Sequence, residues 1–132
     1  MLCRGLALDY PWPPAQDPTI QRHLGEMSIQ LEAARLMLYG ASTQWAQADV
    51  PTRGLLAAKA KYLCTEAALL TTTKAVQVVG GRSVHRALPL ERLFRDVRTA
   101  TLMPTNVDTM LVNIDKGRLG LGEALFPPGQ AR

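Results

Sequence analysis

Gln77-Val78-Val79-Gly80-Gly81-Arg82-Ser83-Val84-His85-Arg86-Ala87-Leu88-Pro89-Leu90-Glu91-Arg92-Leu93-Phe94-Arg95-Asp96 reads as a sharp stop, a glycine pair, a basic loop and a proline-started helix. Two adjacent glycines allow positive φ and bring uncovered amides close to a ligand or a neighbouring element. From Arg82 to Arg98 five arginines stand against Glu91 and Asp96, an excess of three that makes up most of the net charge of +4. Glycine amides beside guanidinium groups suit phosphate. The competing reading is that the glycines only end a helix, as glycine does at many C-termini.

Upstream of this stretch lie two long helical patterns. Asp17-Pro18 is a helix start, with Asp17 as N-cap and Pro18 at the first helical position. From there Ile20, Leu24, Met27, Leu31, Ala34, Leu38, Ala41 and Trp45 recur at spacings of four and three. A seam sustained this long predicts a packed helix over 18–48. Ile29, Leu36 and Met37 lie off the seam, so a second face is also apolar. Such a helix is either the centre of a bundle or part of an oligomer interface. Pro51 then marks a second start, and Leu56, Ala60, Leu63, Ala67 and Leu70 predict a helix over 52–78. Lys59, Lys61 and Glu66 are available on it for solvent or ion pairs. The short connection between the two makes them antiparallel neighbours.

Downstream, Pro89 opens a short helix over 89–97, in which Glu91 with Arg95 and Arg92 with Asp96 are four-residue pairs. Such pairs contribute about 0.2–0.5 kcal/mol each on an exposed helix. A last helix over 106–117 carries Met110, Leu111 and Ile114 on its apolar face and ends at Gly117 and Gly120. Thr105 with Asp108 three residues on reads as its capping box. The prolines at 11, 13 and 14 around Trp12 give an irregular leader over 1–16, the bundle domain spans 17–120, and 121–132 is a loose tail.

With 47% hydrophobic but only 5% aromatic residues among 132, the core must be built from Leu, Ala, Val and Met. That composition favours one all-α domain, an up-and-down four-helix-bundle-like packing. Fifteen basic against 11 acidic residues is no nucleic-acid signature. Cys3 and Cys64 make no disulfide framework, and no apolar run has the length of a membrane span. A cytoplasmic setting is expected. His23 and His85 are isolated, without a second ligand at metal spacing, so no metal site is expected.

The quoted stretch resembles the acyl-CoA dehydrogenase family. Gln77, Gly80 and Gly81, then Pro89, Glu91, Arg92, Arg95 and Asp96, stand at the order and spacing of that family's Q-x-x-G-G and P-x-E-R-x-x-R-D signatures. The likeness runs from about Ile20 to Leu119 and covers the family's C-terminal helical domain only. It implies FAD held jointly with a partner chain, because the family's matching glutamine and glycines touch the flavin dinucleotide of an adjacent subunit. Gln77, Gly80 and Gly81, assisted by Arg82, are the cofactor-binding candidates on that basis. Two departures stand out. Ser83 occupies a position where the family usually has a further glycine, and Pro104 occupies the position where it commonly has the catalytic glutamate. Thr105 and Asn106 follow where Gly-Thr is common. Proline has no basic atom to remove a proton.

The resemblance therefore implies a domain that serves oligomerisation and a shared FAD site of an acyl-CoA oxidoreductase. Its partner would be a second copy or a fuller acyl-CoA dehydrogenase-like chain, and the isolated chain would be inactive. The alternative is a non-catalytic helical interaction module without cofactor. No catalytic residue is assigned.

Overall fold

The structure is a computed structural model, and it describes residues 14–103 and 105–120. Residues 1–13 of the leader expected over 1–16, the departure at Pro104 and the expected tail over 121–132 lie outside the described residues. Pro14–Gln16 forms a 3-10 turn, followed by four α-helices and no strand among the described residues. They are α1 (Pro18–Trp45), α2 (Val50–Val79), α3 (Leu90–Ala100) and α4 (Val107–Arg118), with a second 3-10 segment over Gly80–Val84. The all-α expectation holds. No helix among the described residues is long and apolar enough to cross a membrane.

The starts of α1 and α2 follow from their aspartates. The Asp17 carboxylate accepts from the Thr19 amide at 2.7 Å, and Asp49 accepts from the Thr52 amide at 2.9 Å. Each satisfies one of the orphan N–H groups of a first turn. Hydrogen bonding with the Thr52 side chain, and after it with the Thr52 amide, holds the Asp49 carboxyl below its ordinary pKa. At the other end, α1 stops three residues before the expected 48. The Arg53 guanidinium, one turn into α2, donates to the Trp45 and Ala46 carbonyls at 2.9 and 3.4 Å. It also lies 6.0 Å from the centre of the Trp45 ring. Two of the carbonyls left open at the end of α1 are thus met from the next helix, and the chain turns there.

The α1–α2 pair is antiparallel, and its register can be read from three contacts. Glu26 of α1 pairs with Lys74 of α2 at 3.0 Å, the Cys64 thiol lies 3.7 Å from the Ala34 carbonyl, and Arg53 reaches Trp45. Small side chains line the seam. Ala34 and Ala41 of α1 and Leu56, Ala60 and Ala67 of α2 are buried, with Met37 and Ala48 packed against the Ala41–Leu56–Ala60 cluster. Alanine lets the two helix backbones approach closely, at no cost in side-chain entropy.

The expected seam of α1 proves to be divided. Its Ala34 and Ala41 are buried and Ile20 and Met27 are half-buried, but Leu24, Leu31, Leu38 and Trp45 stay 42–48% exposed. Off the expected seam, His23 is buried and Gln30 and Met37 are half-buried, Met37 against the Ala41–Leu56–Ala60 cluster. The physical reason is the number of neighbours. Helix α1 meets no other helix than α2 among the described residues, so only one of its apolar edges is covered.

Helix α2 is the centre instead. It packs on α1 along one side and on α3 and α4 along others, while among the described residues the backbones of α3 and α4 do not come close to each other or to α1. Leu90 of α3 and Met110 of α4 are the side chains those helices bury. Helix α3 runs one turn beyond the expected 97. Leu102 and Met103 amides close it by donating to the Thr99 carbonyl at 2.9 and 3.1 Å. The Glu91–Arg95 pair forms at 3.7 Å, whereas Arg92 and Asp96 make no ion pair among the described residues. The cap of α4 is Asn106, whose side chain accepts from the Thr109 amide at 2.9 Å, and not the expected Thr105. Asn is among the strongest N-caps, and its reach displaces the box by one residue.

The α3–α4 connector is held from the side. The Lys61 ammonium donates to the Met103 carbonyl at 3.2 Å and to the Thr105 carbonyl at 2.8 Å. Lys61 was expected to face solvent or an acid; it meets backbone 42 and 44 residues later.

Candidate functional site

The candidate site begins where α2 ends. Gly80 is the C-cap, with φ 68° and ψ −153°, and its amide donates to the Val76 carbonyl. This combination belongs to a region that glycine alone occupies at ordinary cost. Gly81 follows with an unexceptional φ, because among the described residues only Gly80 and Gly120 have positive values. A Cβ built on Gly81 would meet nothing within 4 Å. The glycine pair therefore divides its work: Gly80 turns the chain, and Gly81 leaves its backbone uncovered.

Past this turn the 3-10 segment opens into a groove of about 540 Å³ lined by Gly81, Arg82, Val84, His85 and Leu88. The His85 amide donates to the Arg82 carbonyl at 3.0 Å and the Leu88 amide to the His85 carbonyl at 2.9 Å, which fixes the bend of the wall. The His85 Nδ1 accepts from the Ala87 amide at 3.3 Å. That hydrogen bond assigns the proton of the neutral ring to Nε2, leaving it as a donor. Val84 is 72% exposed, so the groove has an uncovered apolar wall beside its polar edge.

The sequence candidates separate here. Gly81 and Arg82 line the groove; Gln77 and Gly80 do not. Gln77 is exposed on the last turn of α2, with buried Val79 below the turn. Ser83 is only 2% exposed and is absent from the groove wall. The side chain that stands where the family usually has a further glycine is thus buried and takes up no groove space. Val84, His85 and Leu88 carried no signal of their own in the sequence beyond their place after the glycine pair.

Electrostatics favour an anion at this edge through side chains and not through the helix. The C-terminus of a helix carries about half a negative charge, which opposes an anion at Gly80. Among the described residues Arg82, Arg86 and Arg92 are exposed and have no acidic partner. Attraction must come from these guanidinium groups, and Arg82 is the one on the groove.

Comparison with known proteins gives this arrangement a context. The family model of the acyl-CoA dehydrogenase C-terminal domain matches residues 11–116. The chain is 41% identical over 104 residues to the 3-sulfinopropanoyl-CoA desulfinase of Paraburkholderia xenovorans, covering 74% of this chain and 26% of that one. It is 34% identical over 97 residues to the short/branched chain specific acyl-CoA dehydrogenase of Rattus norvegicus mitochondria, covering 74% and 22%. With the cyclohexane-1-carbonyl-CoA dehydrogenase of Geobacter metallireducens the identity is 34% over 86 residues, covering 65% and 22%. The chain thus spans about a quarter of the length of these curated relatives.

Proposed function

The chain belongs to the acyl-CoA dehydrogenase family through that family's C-terminal domain, and from this premise we propose that it lends a glycine–arginine edge to a flavin dinucleotide site completed elsewhere. The observation that carries the reading is the coincidence of two independent features. The family's glycine signature falls on the turn, and the turn opens onto a groove bearing Gly81 and Arg82.

The residues present fit the edge of such a cofactor. Gly81 offers backbone with open space above it, Arg82 offers a cation for a pyrophosphate oxygen, and Val84 with Leu88 offers an apolar surface. Gln77, one turn back and exposed, is placed to contact the same molecule only if it extends beyond the groove. FAD, when bound in this family, accepts hydride from the acyl thioester. The part of this chain is to hold and orient, since no carboxylate among the described residues lines the groove and Pro104 stands at the position implied for the proton-abstracting glutamate. The reaction served is a thioester one by the relatives' names, which include both a desulfinase and dehydrogenases.

Assembly belongs to the same proposal. The uncovered edge of α1, with Leu24, Leu31, Leu38 and Trp45 seven residues apart, is a contact for a second copy or for a fuller chain of the family. A second reading, a helical interaction module without cofactor, is favoured by one observation: Gly80 is fully explained as a helix cap.

Flavin capture separates the two. The purified chain, alone and mixed with a fuller family member, is tested for bound flavin absorbance. Gln77→Ala and Gly81→Ala are expected to lower capture by the complex without lowering the melting temperature. Capture unchanged in both variants, or no flavin with any partner, would leave only the interaction module. The isolated chain supplied with FAD is expected not to reduce an electron acceptor with acyl-CoA.

A further inference from the structure

Among the described residues, Lys61 is the one side chain of α2 that hydrogen-bonds to the α3–α4 connector. The connector needs such a partner. Its local backbone bonds are the Leu102 and Met103 amides to the Thr99 carbonyl and the Val107 amide to the Thr101 carbonyl at 3.4 Å. Arg98 and Thr101 close on each other, the guanidinium donating to the hydroxyl at 3.0 Å and the hydroxyl to the Arg98 carbonyl at 2.7 Å. None of these bonds uses the Met103 or Thr105 carbonyl as acceptor. An ammonium has three donors on one small centre, which suits gathering carbonyls from a bent backbone.

The consequence comes from topology. Among the described residues helices α3 and α4 each pack on α2, but their backbones do not come close to each other. Their relative placement therefore rests on their separate seats, through Leu90 and Met110, and on the connector between them. We propose that Lys61 is a positioning residue that pins the backbone on either side of position 104 and so sets the angle between α3 and α4. A hydrogen bond donated by a charged group to a partly buried carbonyl is stronger than a neutral one. Its stem lies half-buried along α2, so the ammonium arrives from a fixed direction. The pin also explains the outward face of the connector. With the Met103 carbonyl turned towards α2, Leu102 and Met103 are left exposed.

The test compares Lys61→Met, which keeps the stem and removes the donors, with Lys61→Arg, which keeps charge and donors. Hydrogen–deuterium exchange is read at the amides of Val107 to Met110 and, as internal reference, at those of Met27 to Ala34 in α1. Lys61→Met is expected to speed exchange at the α4 start by about tenfold or more, the least that loss of hydrogen bonds from a charged group implies. The α1 reference should not change, and Lys61→Arg should restore most of the protection. Uniform acceleration at both places, no acceleration at the α4 start, or an arginine variant no better protected than the methionine one overturns the proposal. If Lys61→Met does not fold, the unaltered chain decides. Under limiting reductive methylation, Lys61 should react about tenfold more slowly than the exposed Lys116. Equal rates refute the pin.

Discussion

Alanine at Gly80 and alanine at Gly81 should behave in opposite ways, although the two residues are adjacent and both belong to the family signature. At Gly80 the substituted Cβ meets no atom within 4 Å, so the penalty contains no clash. It is set by the backbone alone, at φ 68° and ψ −153°. Holding a non-glycine residue in such a region costs about 1–3 kcal/mol. For a chain between the sizes for which the conversion is known, about 4 °C per kcal/mol, the melting temperature falls by about 4–12 °C. At Gly81 the backbone needs no positive φ and the space is open. Alanine there removes freedom from the unfolded chain and stabilises by about 0.4–1 kcal/mol. Thermal melts followed by far-UV circular dichroism, on both variants at equal concentration, make the comparison. Equal losses in the two, or a Gly80→Ala melt within about 1 °C of the unaltered chain, would show that the turn is not held as described. Because Gly81→Ala leaves stability intact, a loss of flavin capture in that variant reports on the groove itself.

Three further outcomes are expected. Ala67→Leu forces a larger side chain into an α2 site only 2% exposed and should destabilise by about 1–3 kcal/mol in urea titration. The hydrogen bond from Lys74, and behind it that ammonium's charge, lowers the Glu26 pKa from 4.5. With the folded value depressed, the pair's contribution is complete above the unfolded value and is lost as pH falls from there through the folded value. Melting temperature should therefore drop more between about pH 6 and pH 3 in the unaltered chain than in Glu26→Gln, and parallel curves would count against the pair. Leu31→Glu with Leu38→Glu should convert an assembled species to monomer by light scattering, and a monomeric unaltered chain at micromolar concentration would refute the α1 interface.

What the sequence discloses here is mostly local. Asp17 with Pro18, Asp49 with Pro51 and the glycine at position 80 act within a turn or two, so helix starts and the stop of α2 are legible from neighbouring residues alone. Periodicity also shows that α1 has two apolar edges, but which edge finds α2 depends on where the other helices go. Hence Leu24, Leu31, Leu38 and Trp45 look like core in one dimension and lie uncovered in three. Lys61 is the clearest case of hidden information. Its partners are carbonyls more than forty positions away, and carbonyls carry no letter in a sequence. The groove lies between these cases. Its glycines and Arg82 can be picked out by type and spacing, whereas Val84, His85 and Leu88 join it only through the bend that follows Gly80.

The hub position of α2 has a consequence for how the protein opens. Since, among the described residues, α1 and the α3–α4 arm are seated on α2 and not on each other, either can detach while the other stays seated, yet α2 cannot melt without releasing both. Two partial openings should precede global unfolding, each a separate cooperative unit with its own free energy. Perturbations placed on opposite arms should add, to within about 0.3–0.5 kcal/mol, because they share no contact. Among the described residues, a signal passing from the α1 edge to the α4 edge runs through a twist or bend of the thirty-residue helix between them.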